Sequence, residues 1–309
     1  MKFSGPLPWI GRLATPVNLQ AFARRSEALG YDFVSVGEHI VYPRRIETVY
    51  PFSADGKMNV NGREPNFEIF VALTWVAAAT SRIRLHSGVL VLPYRNPFES
   101  AKLAASLDVV SGGRLTLGVG IGWLKEEFDV FNIPFTRRGK LTDEYIRLLR
   151  ALFEGAESFT GVEYSFAGLD FEPKPLQKPL PIWVGGNSGP AIRRAALLGH
   201  GWYPGLPTEL IAAKKREIDD LRAQAGISGP FHVASGIGWQ QPDGPVTPFS
   251  KQKQQVLEQL NAMREAGVTH VHVYFNELST TESAEKVLDE AGWFAQEIMP
   301  SFRDPQPRA

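Results

Sequence analysis

The chain has 309 residues, with 33 basic side chains against 33 acidic ones, and it contains no cysteine. Balanced charge removes any global electrostatic case for nucleic acid or an anionic membrane, so an anion site has to be local. The missing thiols exclude disulfides, cysteine nucleophiles and cysteine-bound metals and fit a reducing compartment.

Met1 to Pro8 is too short and too broken by glycine and proline for a signal segment. No apolar run reaches the length of a membrane span, and the expectation is a soluble, cytoplasmic protein. Lys2 to Leu7 predicts a first strand. Thr15 and Pro16 start a helix, with threonine as the cap and proline at the first helical position, and Gly30 closes it. Asp32 to Gly37 forms a second strand that runs directly into Glu38 and His39. From Ile40 to Asn66 there is no periodicity. A loop this long inside a compact domain reads as a lid or binding loop, and its Asp55-Gly56 pair allows a small hairpin.

Phe67 to Thr80 is an apolar helix, and Ile83 to Leu92 is the third strand, passing through Ser87, Gly88 and Val89. Pro97 to Val110 is a helix closed by Gly112 and Gly113, and Arg114 to Gly120 is the fourth strand. A helical stretch beginning at Trp123 breaks near Pro134, and Leu141 to Phe153 is amphipathic. Residues 158–180 interrupt the alternation and predict a hairpin insertion with a proline-rich return. The fifth strand is Pro181 to Val184, with a helix up to Leu198. Gly201 to Tyr203, Phe231 to Trp239 and His270 to Phe275 are the last three strands. Their helices are Thr208 to Ala225, Lys251 to Ala266 and Ala284 to Met299. Eight strands alternating with helices predict one (β/α)8 TIM barrel over residues 1–309, with a lid-like insertion at about 40–66 and the hairpin at about 158–180.

In such a barrel the site lies where the strands end. That rule selects Glu38 and His39, Ser87 to Val89, Gly120 to Glu126, the Gly185 to Gly189 turn, and Trp202 with Tyr203. His39 is the candidate acid or base because imidazole titrates near neutral pH without perturbation. Glu38 either orients it or pairs with a lid arginine. The turn of Gly185, Gly186, Asn187 and Ser188 opens a helix whose first amides lack intrahelical partners, and this favours a phosphate. An ordinary strand-to-helix turn capped by Ser188 fits the same residues. The other histidines, His86, His200, His232, His270 and His272, show no metal-ligand spacing, and His86 is read as structural.

Four segments carry a resemblance: VGEH (Val36 to His39), SGVLVLPYRNP (Ser87 to Pro97), LDVVSGGRLTLGVGIGWLKEEF (Leu107 to Phe128) and PIWVGGNSGPA (Pro181 to Ala191). Together they resemble the luciferase-like monooxygenase superfamily, and most closely its coenzyme F420-dependent oxidoreductases. The resemblance implies a barrel of the bacterial luciferase type holding F420, or alternatively FMN, at its C-terminal mouth. It implies a non-proline cis peptide at Gly88 and Val89 pressing on one face of the ring, and coenzyme phosphate at Gly185 to Ser188. It also places His39 at the family's catalytic or substrate-side histidine. Ser87, Gly120 and Glu126 join the cofactor set. Glu126 takes a place often held by an amide, and Trp123 replaces a glutamate proton donor of the sugar-phosphate dehydrogenases, whose reaction is therefore not expected.

A pocket of Trp9, Trp123, Trp202 and the lid suits a hydrophobic organic substrate. The expected function is hydride transfer between F420 and such a substrate in a homodimer. The alternatives are an FMN-dependent monooxygenase served by a separate reductase, and a flavin-binding protein without turnover.

Overall fold

The computed structural model describes residues 1–51, 53, 55–58, 62–238, 247–275 and 283–303. The first half of the chain forms β1 (Lys2–Phe3), α1 (Pro16–Ala28), β2 (Phe33–Val36), α2 (Ile69–Ala77), β3 (Arg84–Ser87), β4 (Leu90–Val91), α3 (Pro97–Val110), β5 (Leu115–Gly120), α4 (Lys125–Val130) and α5 (Arg138–Glu154). A hairpin of β6 (Ser158–Thr160) and β7 (Ser165–Ala167) follows. The alternation then resumes with β8 (Ile182–Gly185), α6 (Gly189–Leu198), β9 (Gly201–Tyr203), α7 (Thr208–Gln224), β10 (His232–Ile237), α8 (Lys253–Glu265), β11 (His270–Val273) and α9 (Ala284–Glu297).

Around the barrel the order is β1, β11, β10, β9, β8, β5, β3 and β2, with β4 pairing on β5. Neighbouring strands are parallel, and the ring closes through the parallel bridge of Ser4 with Phe33. The Gly5 amide donates to Phe33 O and the Asp32 amide to Phe3 O across that seam. The eight-stranded barrel expected from the alternation is the fold observed.

Local chemistry explains the element ends. Thr15 Oγ1 accepts the Asn18 amide with Pro16 at the first helical position, as the sequence predicts. Gly155 closes α5 in the left-handed region at φ 78°. Strand β5 (LTLGVG) is buried along its whole length, as expected of a parallel strand covered on both faces. Arg114, just before it, donates to the carbonyls of Ala77, Thr80, Ile83 and Ser111 and to Thr80 Oγ1. One guanidinium thereby satisfies the chain ends of α2 and α3. Glu144 on α5 anchors the hairpin turn by accepting the amides of Val162, Glu163 and Tyr164.

Several boundaries differ from expectation. The first strand stops at Phe3 and Ser4, the eighth at Val273, and α5 starts at Arg138 rather than Leu141. The third strand is divided into β3 and β4 by a cis peptide between Gly88 and Val89. Trp123 precedes α4 rather than beginning it, and Trp239, the expected end of the seventh strand, lies outside the described residues.

Gly118 shows how tightly the barrel wall is built. A Cβ there would lie 2.0 Å from Ser87 O, a backbone atom held in the neighbouring strand. Gly118→Ala is expected to destabilise the fold by about 3 kcal/mol, the upper range for overpacking a closed core. The check is a lowered urea midpoint with an unchanged slope.

Candidate active site

Strand register brings the selected residues to one mouth. Val36 pairs with Ser87, Val91 with Gly120, Val119 with Val184, and Gly185 with Tyr203, so the ends of β2, β3, β5, β8 and β9 reach a common level. Beyond β2 the chain passes Gly37, where a Cβ would sit 2.9 Å from the Trp9 ring, and reaches Glu38 and His39.

The two residues have separate partners. Glu38 is buried; it accepts the Val91 amide at 2.6 Å and Arg95 Nε at 2.9 Å, and Arg95 extends to Glu68 at 2.8 Å. Burial raises the Glu38 pKa although Arg95 and the Val91 amide pull the other way. The expected role of Glu38 in orienting the imidazole is therefore corrected: its oxygens are engaged by Arg95 and Val91. Arg95 belongs to the β4–α3 connection, not to loop 40–66.

The partner of His39 is Glu127, a residue that sequence reasoning passed over. His39 Nδ1 lies 2.8 Å from Glu127 Oε2, which also accepts the Tyr94 hydroxyl at 2.9 Å. Oε1 accepts the amides of Ile40 and Val41 at 2.7 and 3.1 Å. Glu127 is fully buried. A carboxylate surrounded by donors places the imidazole proton on Nδ1 and leaves Nε2, which has no hydrogen-bond partner among the described residues, as the acceptor.

The His39 side chain is 9% exposed. Tyr42 lies against it with centroids 4.8 Å apart, Trp123 meets it edge-on at 5.9 Å, and Tyr50 meets Trp123 edge-on at 4.9 Å. Burial and the nearby Tyr274 push the Tyr50 phenol up to about 12, so it stays protonated at neutral pH. Tyr203 and Tyr274, bonded through their hydroxyls at 3.0 Å, complete an aromatic mouth.

Loop 40–66 is fastened to this mouth. Glu126 Oε1 accepts the amides of Glu47 and Thr48 at 2.6 and 2.9 Å, and Oε2 accepts the Thr48 hydroxyl at 2.7 Å. These bonds turn Glu126 toward the loop rather than toward the cofactor set in which the resemblance placed it. Asn66 Nδ2 donates to His39 O at 2.7 Å, tying the far end of the loop to its start. The Asp55-Gly56 turn is present, with the Tyr50 amide on Gly56 O, and no paired strands occur among the loop's described residues. Phe52, Ala54 and residues 59–61 lie outside the description.

The glycines separate into two kinds. A Cβ at Gly120 would lie 2.6 Å from Val89 Cγ2, and one at Gly185 would lie 3.2 Å from Val89 Cγ1, so both make room for the Val89 side chain. Gly186 adopts φ 118°, which favours glycine, and donates to Tyr203 O. Asn187 exchanges hydrogen bonds with the Gly205 backbone, and Ser188 caps α6 by accepting the Ala191 amide. The amides of Asn187, Ser188 and Gly189 have no partner among the described residues. They fit a phosphate, with Pro190 removing the next donor.

Two predicted residues are used elsewhere. The buried Ser87 donates its hydroxyl to Gly118 O, joining β3 to β5. Trp202 has no exposed surface and donates Nε1 to Gly186 O at 2.8 Å, so it supports the turn from below rather than lining the mouth as expected. No group of three or more His, Cys, Asp or Glu among the described residues is placed to hold a metal.

Glu127→Gln is expected to keep the amide contacts through its oxygen and to turn its NH2 toward His39 Nδ1. The proton then moves to Nε2, a tautomer exchange that 15N spectra of labelled histidine would report. For Glu126, partial burial acts to raise its pKa, but the Thr48 hydroxyl and the Glu47 and Thr48 amides outweigh it and hold the carboxyl at about 2. Because this lies below the ordinary 4.5, the loop's attachment is fully present above that pH and is lost as pH falls through about 2. At pH 7, Glu126→Ala is expected to speed limited proteolysis within residues 40–51 about tenfold, and an unchanged rate would show that the loop is held by other contacts.

An uncharacterized protein of Mycobacterium tuberculosis is 38% identical over 217 residues, spanning 68% of this chain and 73% of that protein. The FMNH2-dependent dimethylsulfone monooxygenase of Pseudomonas putida is 34% identical over 158 residues, 49% of this chain and 42% of its own length. Among solved structures, a monooxygenase from Streptomyces bottropensis superposes with TM-score 0.74 at 20% identity, covering 98% of this chain and all of that one. An F420-dependent secondary alcohol dehydrogenase in complex with an F420-acetone adduct gives 0.73 at 16% identity, covering 98% of each chain. Residues 5–237, most of the barrel, match the family described as luciferase-like monooxygenase, and the chain belongs to it.

Proposed function

We propose that the chain transfers hydride between coenzyme F420 and a hydrophobic organic substrate at the C-terminal mouth, with His39 as the proton-handling residue. The observation that carries this reading is the clamp of Glu127 on His39 Nδ1, which reserves Nε2 for an exchangeable proton next to an aromatic, nearly dry chamber.

The free amides of Asn187 to Gly189 would hold the coenzyme phosphate, and Gly88 with Val89 would support the ring. When bound, the deazaflavin supplies the hydride chemistry. The protein's own residues do the rest. Glu127 fixes the imidazole tautomer, and Tyr42, Tyr50 and Trp123 exclude water and favour apolar substrate. Glu126 keeps loop 40–66 closed over them. On this reading the enzyme works as a homodimer.

A second reading has specific support. The Pseudomonas putida relative is FMNH2-dependent, and the same phosphate turn and aromatic mouth suit FMN, with a separate reductase and oxygen as co-substrate.

Fluorescence titration of the purified chain with F420 and with FMN separates the two. Tight binding of F420 alone, with no oxygen uptake, is the expected result, and preference for FMN with oxygen uptake moves the protein to the second reading. In the F420 case His39→Ala is expected to lower kcat about a thousandfold while coenzyme Kd changes little. Equal losses in both would make His39 a binding residue.

A further inference from the structure

The N-terminal floor of the barrel is built largely from histidine: His86 on β3, His232 on β10, and His270 and His272 on β11. Period two puts the last pair on one face of its strand. Phe33 meets His86, His270 and His272 at 5.8, 5.7 and 5.0 Å, and Trp183 meets His86, His232 and His270 at 4.9, 5.6 and 4.6 Å. The imidazoles also meet in pairs, His86 with His272 and His232 with His270, each at 5.1 Å. Two aromatic rings thereby join four imidazoles into one packed unit.

That unit has no provision for a proton. His86 and His272 are 1% and 3% exposed, and both ring nitrogens of the first and Nε2 of the second are buried without a hydrogen bond. His270 Nδ1 meets Thr269 Oγ1 at 2.9 Å. An imidazolium carries two N–H donors and a charge, and burying either without a partner is unfavourable. Among the described residues the histidine paired with a carboxylate is His39, at the opposite end of the barrel.

The charged surroundings add to the effect. Lys2 on β1 and Arg84 on β3 act on the four, and both are cations. The acids at the rim are turned to other partners: Asp32 accepts Lys2, Arg303 and the Phe3 amide, and Glu27 accepts the amides of Ser81, Arg82 and Ile83. Tyr203 on β9 and Tyr274 after β11 share a hydrogen bond, and burial keeps both protonated. His200, before β9, accepts the Ile182 amide on Nδ1 and is itself influenced by Arg150, Arg222 and His232. Burial, reinforced by the cations and by the imidazoles themselves, holds all four floor histidines below the ordinary 6.5.

We propose that this floor is an acid-sensitive catch: neutral imidazoles hold the barrel shut, and mild acid opens it by protonating them together. Each floor histidine takes its proton near pH 6.5 in the unfolded chain and resists it in the folded one. Stability is therefore full above that pH and is lost as pH falls below it. A proton on one imidazole breaks the packing that keeps the other three dry, so the uptake is concerted. Carboxylates act lower, because Glu27, Glu126 and Glu144 are held below the ordinary 4.5 and release their stabilisation only beneath it. His200 adds to the uptake and Glu38, whose pKa burial raises, subtracts from it, which leaves a net of about four protons.

The test is urea unfolding of the full chain at a series of pH values from 7.5 to 5. The unfolding constant in water is expected to rise about ten-thousandfold between pH 7.5 and 5.5, the signature of four protons taken up, and to recover on neutralisation. His232→Gln and His270→Gln each make that rise roughly tenfold smaller by removing one proton. Carbon-13 spectra of labelled histidine give a second reading that needs no variant: the four floor imidazoles of the native chain stay neutral down to pH 5.5. A rise of less than about a hundredfold would overturn the proposal. So would floor imidazoles that titrate in the native chain above pH 5.5, or a rise unchanged in both variants.

Discussion

The carboxylate of Glu127 is the contact on which the C-terminal mouth depends. Burying an ionised group without partners is strongly unfavourable, and donors at close range offset that cost. Here the donors come from two separate places and the acceptor from a third: the segment after β2 supplies His39 and the Ile40 and Val41 amides, the turn after β4 supplies Tyr94, and α4 carries the acceptor itself. None of the three is positioned without the other two. The arrangement of the mouth is therefore cooperative, and the tautomer of one imidazole is set by the whole assembly rather than by a neighbour in sequence.

Most of the barrel was legible because its strands are short apolar runs between glycine, proline and capping residues, and that pattern survives reading without any alignment. The polar assignments were legible as places rather than as partners. His39 falls at the end of a strand, which a periodic reading detects, but the identity of its clamp does not follow from spacing. Glu126 and Glu127 are adjacent, chemically identical and about 100° apart on a helix, so one reaches outward to the loop and the other inward to the imidazole. Only the direction in which α4 leaves β5 decides which does which. Trp202 was misplaced for a related reason: a three-residue strand gives too little alternation to assign a face, and the indole went beneath the turn. The division of the third strand at Gly88 and Val89 was not visible in periodicity at all and was expected only through family resemblance.

The two ends of the barrel present opposite chemical conditions. At the C-terminal end each buried carboxylate is engaged by several donors, and the surrounding phenols are kept protonated by burial. At the N-terminal end the acids at the rim are likewise engaged, yet both ring nitrogens of His86 and the Trp183 indole nitrogen have no partner among the described residues. Burial pushes His270 to about 2 and His272 to about 3, with neighbouring cationic or histidine groups adding to the shift, so the barrel axis carries no histidine charge near neutral pH. That neutrality lets four imidazoles share one interior without mutual repulsion.

Val89 projects between Gly120 and Gly185, where a Cβ at the first would collide with it and a Cβ at the second would crowd it. Residues at the ends of β5 and β8 and in the break between β3 and β4 are thereby committed to a single shared volume. A larger residue at either glycine is tolerated only after Val89 has become smaller, and a smaller residue at 89 leaves a void that only such an enlargement refills. Sequence drift at these three positions must proceed in a fixed order, and a change that is harmful in this chain is acceptable in a relative that altered position 89 first.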